Sequence, residues 1–235
     1  MAQASIPLPA STVVLIRPDG GSHFEIYLNR RPDAMSSYAG VYVFPGGRVE
    51  ASDSSAAMLR LSRGLTPQEA QQQLGGDLPA EICLAHWIAA VRELFEESGI
   101  HFFSPSNDAA RDDLAERLAS QRAALQRGQV DLASLLRSEQ LYCDLARLKY
   151  FFHRVTPEHY SIRFDTRFYL AALPPDQYPL HESEEVAESL WIAPAAALAR
   201  AEGGDYQMMP PTLAVLRRLN GYRSWGELSE SFKLP

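Results

Sequence analysis

The segment Arg92-Glu93-Leu94-Phe95-Glu96-Glu97-Ser98-Gly99-Ile100 constrains this chain more than any other. The surrounding pattern predicts a helix from near Pro79 to Ser98, stopped by Gly99. At about 100° per residue, Glu93, Glu96 and Glu97 stand at i, i+3 and i+4 on one face. Leu84, Ile88, Val91 and Phe95 gather on roughly the opposite face, with Trp87 and Phe95 read as core. Such a helix packs its apolar side against a core and presents three carboxylates on the other. Those carboxylates repel one another, at a cost of about 0.2–0.5 kcal/mol per like-charged pair. They also sit in the last turn, at the negative end of the helix dipole. Taken alone, the triplet reads as a solvated acidic face. A bound divalent cation would remove the conflict, and hard oxygen ligands select Mg²⁺ or Mn²⁺ over zinc.

The rest of the chain supplies context. Thr12–Arg17 and Phe24–Asn29 predict two strands joined through the turn Pro18-Asp19-Gly20-Gly21. Val41–Phe44 predicts a short strand, stopped by Pro45-Gly46-Gly47. That turn can bring bare backbone close to the acidic helix, so that a glycine carbonyl could ligate a metal. Thr66-Pro67-Gln68-Glu69 predicts a capped helix start, with Gly75-Gly76 at its end. Residues 107–140 predict one or two helices interrupted near Gly128. Leu148–Val155, Arg163–Ala172 and Leu190–Ile192 read as strands; Ala195–Ala201 and Pro211–Leu219 read as helices. Strands on both sides of the helical segments favour one α/β domain over residues 1–235, with insertions at about 54–80 and 105–147.

Together, Gly47 and the Arg92–Ile100 segment resemble the signature of the Nudix hydrolases: Gly, five residues, Glu, seven residues, then Arg-Glu-apolar-x-Glu-Glu-x-Gly-apolar. Arg92, Glu93, Leu94, Glu96, Glu97, Gly99 and Ile100 match the second half in full. Two departures stand out. The first acid is Asp53 rather than Glu, and 38 residues instead of seven separate it from Arg92. Long loop insertions cost little closure entropy, so loop and helix can still meet. A split signature is similar to one branch of the superfamily that includes the peroxisomal coenzyme A diphosphatases. Phe44–Val49, Arg163–Phe168 and Pro210-Pro211-Thr212 extend the likeness. Leu28–Pro32, with Gly40 and Phe44, partly matches the Arg-rich element of coenzyme A-acting members, where Ser36 replaces its second Arg.

The resemblance implies a mixed-sheet α/β/α sandwich and Mg²⁺- or Mn²⁺-dependent hydrolysis of a nucleoside diphosphate conjugate. It implies a metal held by Gly47, Glu93, Glu96 and Glu97, and Arg92 holding Glu93 in place. The base is Glu93, or Glu184 or Glu185 from the stretch His181–Glu185. Arg30, Arg31 and Arg48 are the phosphate-side candidates, and Arg163, Arg167 and Tyr42 the candidates for the rest of the substrate, although Asp165 and Arg167 can simply pair. His86 and His153 read as structural. Coenzyme A or acyl-coenzyme A, cleaved to 3′,5′-ADP and (acyl-)phosphopantetheine, is the first substrate reading. ADP-ribose, NADH or a sugar nucleotide is the second, and a non-catalytic nucleotide-sensing domain the third.

Composition narrows the partners. The 235 residues are 46% hydrophobic and 22% charged, with a net charge of −7, the opposite of a phosphate-backbone binder, so no nucleic-acid partner is expected. No run approaches the ~18 apolar residues of a membrane span, and Met1–Ser11 lacks the basic start of a secretory signal. The end Lys233-Leu234-Pro235 is not a peroxisomal address. Cys83 and Cys143 are too few for a disulfide framework. A cytoplasmic protein is expected, with the insertions shaping the pocket or a homodimer contact.

Overall fold

Val13–Ile16 is a continuous apolar run rather than an alternating one, the pattern of a strand covered on both faces. In the computed structural model, which describes residues 5–35, 38–106, 113–180 and 186–234, that run lies in the central strand β1 (Leu8–Pro18). The chain continues through β2 (Phe24–Arg30), β3 (Tyr42–Val43), β4 (Gly46–Arg48), α1 (Ala56–Arg60), β5 (Ser62–Arg63), α2 (Pro67–Leu74) and α3 (Ala80–Ser98). β6 (Phe103–Pro105), α4 (Leu114–Gln126), α5 (Leu132–Ser138), β7 (Leu141–Asp144), β8 (Lys149–Val155) and β9 (Phe164–Ala172) follow. β10 (Glu188–Ile192), α6 (Pro194–Glu202), α7 (Pro210–Leu219) and α8 (Trp225–Phe232) complete it.

The main sheet is mixed, in the order β10-β2-β1-β9-β8, with β3 added to β2 and β4 added to β1. β1 and β9 are parallel, and the other pairs are antiparallel. Val13, Leu15, Tyr27 and Tyr169 face one layer, built on α3 and the insertions. Val14, Ile16, Ile26, Leu28, Phe168 and Leu170 face the other, where Ala197, Val215, Leu216, Leu219 and Leu228 come from α6, α7 and α8. This is the expected α/β/α sandwich. Among the described residues no helix is long and apolar enough to cross a membrane.

Several expectations change in detail. The strand expected over Val41–Phe44 shrinks to Tyr42–Val43, and Gly46–Arg48, expected to be only a turn, pairs with β1 through Ala10, Ser11 and Thr12. The glycines permit it: a Cβ on Gly46 would lie 2.5 Å from the Ser11 carbonyl oxygen. The insertions are not purely helical. β5 from the first pairs with β7 from the second, and β6 completes a small three-stranded sheet. α8 was not anticipated, although Ser224-x-x-Glu227 is a cap signature; Ser224 Oγ accepts from Glu227 N at 3.1 Å.

α3 departs most from expectation. Only Ala80, Glu81, Ile82 and Glu96 escape full burial, so the acidic face is not a solvent-facing one. Glu93 and Glu97 are 9% and 7% exposed. β4 and the two insertions close over the side that the apolar periodicity left open.

Candidate active site

The site is assembled around the last two turns of α3. Gly99, in the left-handed region at φ 74°, ends the helix with its N–H on the Phe95 carbonyl. One turn earlier, the buried Arg92 uses every N–H of its guanidinium. Nε donates to Asp53 Oδ1 at 3.0 Å and Nη2 to Asp53 Oδ2 at 3.0 Å. Nη2 also donates to the Arg48 carbonyl at 2.7 Å. Nη1 donates to Glu93 Oε1 at 2.9 Å and Glu96 Oε2 at 3.4 Å. Burial opposes its charge, but the Asp53 bonds, with Glu93 and Glu96, outweigh that and hold the guanidinium protonated.

Asp53, the departure from the signature, is thus fully inside the site. It is 1% exposed and also accepts from Glu50 N at 2.8 Å. Its fork ties the loop after β4 to α3 across the first insertion.

Each acid of the triplet has a distinct setting. A Cβ on Gly47 would lie 2.4–2.6 Å from the carboxylate atoms of Glu93; only a glycine lets the β4 backbone press so closely on that carboxylate. Glu97 accepts from Asn29 Nδ2 at 3.0 Å, and Asn29 Oδ1 accepts from Ser189 Oγ at 3.1 Å. Sequence reasoning missed Asn29. Its signal was a polar residue on the same face of β2 as buried Tyr27. Burial pushes the Glu96 carboxyl up to about 7; Arg92 pulls it back, and Glu93 and Glu50 push it further up. A carboxylate held that high is poised to be ionised by an arriving cation. Among the described residues no group of three His, Cys, Asp or Glu side chains is already arranged to hold a metal ion. The donor chemistry nevertheless fits Mg²⁺ or Mn²⁺: clustered carboxylates beside a bare peptide, all of them hard oxygens.

The remaining candidates divide. Arg48 contributes through its carbonyl, while its side chain is exposed. Arg30 donates to Asp33 Oδ1 at 2.6 Å and lines a polar cavity of about 310 Å³ with Tyr42, Gly40, Asp205 and Gln207. Tyr42 donates to Glu188 Oε2 at 3.1 Å and stacks on Tyr206. Burial and the Glu188 carboxylate push its hydroxyl up to about 12. The Nε of Arg31 is buried and has no hydrogen-bond partner among the described residues.

Arg167 is held by Asp165 at 2.9 Å and lies two strands from Gly47, through Ser11. Asp165 also bonds His153. Arg163 binds the carbonyls of Ser5 and Thr156. His86 is buried, hydrogen-bonded to Ser11 Oγ at 3.1 Å, and pushed down to about 3, chiefly by burial, consistent with a structural role. Ser36 and the stretch His181–Glu185, including Glu184 and Glu185, lie outside the described residues.

Comparisons with known proteins agree with this geometry. The NUDT19 Nudix domain family matches residues 2–219. The acyl-coenzyme A diphosphatase NUDT19 of Gallus gallus is 29% identical over 249 residues, covering 90% of this chain and 65% of its own length. The human protein of the same name is 28% identical over 246 residues, covering 90% and 64%. The chain therefore spans just under two thirds of these relatives. A Nudix hydrolase of Alicyclobacillus acidocaldarius superposes with a TM-score of 0.80 at 27% identity, covering 97% of this chain and 96% of that one. With the fold, the Arg92–Ile100 segment and the family match over most of its length in agreement, the chain belongs to the Nudix hydrolase family.

Proposed function

We propose that this protein hydrolyses the diphosphate linkage of coenzyme A or an acyl-coenzyme A. Water would attack one phosphorus and the P–O–P bond would break, giving 3′,5′-ADP and (acyl-)phosphopantetheine. The observation that carries this reading is the set Glu93, Glu96 and Glu97, the first and last of them buried, locked by Arg92 and Asn29 beside the bare backbone of Gly47. The relatives named acyl-coenzyme A diphosphatase support the substrate class.

Glu93, Glu96, Glu97 and the Gly47 carbonyl would hold Mg²⁺ or Mn²⁺. When bound, the cation would neutralise diphosphate oxygens and acidify a water. Arg92 orients Glu93 and Glu96 and is spent on protein contacts, so its role is positioning. The base is assigned to Glu93, or to Glu184 or Glu185. Arg30, Arg31 and Arg48 are the proposed phosphate-side cations, with Arg167 placed further along the sheet; guanidinium forks suit phosphate. Ser36, in place of the second Arg of the coenzyme A element, favours keeping ADP-ribose, NADH and sugar nucleotides as a second reading.

The test is turnover of coenzyme A, ADP-ribose, NADH and a sugar nucleotide with Mg²⁺, products separated by chromatography. Glu97→Gln is the control, expected to lose roughly 10²–10³-fold by analogy with the loss of one electrostatic stabiliser. Cleavage of coenzyme A to 3′,5′-ADP, lost in the variant, supports the first reading. Cleavage of another conjugate alone moves the assignment to the second, and no turnover with either metal refutes the catalytic reading.

A further inference from the structure

A helix leaves its last four carbonyls without partners inside the helix. In α3 the Phe95 carbonyl still takes the Gly99 N–H, so the carbonyls of Glu96, Glu97 and Ser98 are left for other donors, and two of them are the backbones of proposed metal ligands. Those three are satisfied from outside the signature. Arg122, 5% exposed on α4 of the second insertion, donates Nε to the Phe95 and Glu96 carbonyls at 3.0 Å each. Its Nη2 donates to the Glu97 carbonyl at 3.2 Å. Gln126, one turn further along α4, donates Nε2 to the Glu96 carbonyl at 2.5 Å. Leu180 N donates to the Ser98 carbonyl at 2.7 Å.

This arrangement addresses the conflict built into α3. Three acids crowd the negative end of a helix dipole, and burial removes the water that would otherwise screen them. A guanidinium under that end supplies a full positive charge within the last turn. Its planar fork also fixes the peptide groups from which the Glu96 and Glu97 side chains spring. A lysine would carry the charge but not the fork.

We infer that Arg122 is a positioning residue for the metal site: the second insertion exists at this point to cap α3, and through its last peptides to hold Glu96 and Glu97 where a divalent cation binds. The inference rests on the metal site proposed above.

The test measures Mn²⁺ binding to the substrate-free protein by electron paramagnetic resonance, beside urea unfolding in EDTA. Arg122→Met is expected to weaken Mn²⁺ binding by about 10-fold, the low end of what losing a group that holds a metal ligand in place costs, because removing a nearby positive charge by itself favours the cation. Arg122→Lys is expected to fall between, and Gln126→Ala to lose two- to fivefold. Arg117→Met is the control. Arg117 lies on the same helix but pairs with Glu139 at the end of α5, and is expected to leave Mn²⁺ affinity unchanged. A folded Arg122→Met protein that binds Mn²⁺ within twofold of wild type overturns the inference. If that variant does not fold, wild-type affinity in both Arg122→Lys and Gln126→Ala overturns it instead. Wild-type protein that binds no Mn²⁺ sensitive to Glu97→Gln refutes the metal site itself, a different failure, and takes the inference with it.

Discussion

Replacing Asp53 with Asn tests whether the departure from the signature is an integral part of the site. Asp53 and Arg92 form a two-bond fork at 3.0 Å and 3.0 Å, with side chains 2% and 5% exposed. Breaking one partner of a buried ion pair typically costs about 3–5 kcal/mol, because the other charge stays buried without its counter-ion. Asn keeps one acceptor for Nε and has the same size, so no cavity adds to the cost. Glu93 and Glu96 still offset part of the Arg92 charge. The lower end, about 3 kcal/mol, follows. At a urea slope of about 3 kcal/mol/M this moves the unfolding midpoint by about 1 M. Asp205→Asn is the comparison: Arg200–Asp205 is a contact of similar length, at 3.0 Å, but 59% and 58% exposed, and exposed pairs contribute about 0–1 kcal/mol. Both variants are unfolded in urea with EDTA present, so that metal binding does not enter. A loss under about 1 kcal/mol for Asp53→Asn, or one equal to that of Asp205→Asn, would refute the claim that burial makes this pair matter.

Three further outcomes follow from the same geometry. Gly47→Ala would place a methyl about 2.5 Å from the Glu93 carboxylate, which must then retreat by nearly an ångström; turnover should fall by about 10²-fold, while far-ultraviolet circular dichroism stays native. His86 and His101 are held down to about 3 and about 4, chiefly by burial. On acidification the unfolded chain takes up protons first, so their stabilisation is complete above pH 6.5 and is lost as pH falls toward 4 and then 3; a urea midpoint that is flat between pH 7 and pH 4 would contradict this. Glu96 is raised to about 7, so in the metal-free protein its contribution is present below the unfolded value of about 4.5 and declines as pH rises through 7. Mg²⁺ removes that penalty, and the shift in melting temperature on adding Mg²⁺ should be larger at pH 8 than at pH 6.

What the sequence made legible was local. Arg92–Ile100 announces itself because its ligands, its apolar stripe and its glycine stop lie within one helix. The Thr66 cap and the Gly128 interruption are likewise short-range signals. β4 was hidden because Gly46-Gly47 carries turn chemistry; what makes it a strand is contact with Ser11 and Thr12, some 35 residues away. The β5-β7-β6 sheet was hidden for a related reason. Two- to four-residue strands show no measurable alternation, and Ser62 meets Cys143 only after both insertions dock. α8 was within reach, since Ser224 and Glu227 announce its start.

The candidate site splits along the same line. Sequence identifies the acids, but the groups that make three crowded acids tolerable, two of them buried, come from elsewhere: Asp53 before the first insertion, Asn29 on β2, and Arg122 on α4. None of them is near the triplet in the chain, and only Asn29 carried a local hint. Each offsets a cost that α3 cannot offset alone: a buried cation, an acceptor oxygen, a helix end with no partners. The insertions that separate Asp53 from Arg92 and carry Arg122 are therefore part of the machinery that holds the acids, so trimming them to the spacing of the short signature should cost the site its carboxylate geometry before it costs the main sheet its core. The half of that core on the α6–α8 side of the sheet, from Val14 and Ile16 to Leu216 and Leu228, draws on neither insertion.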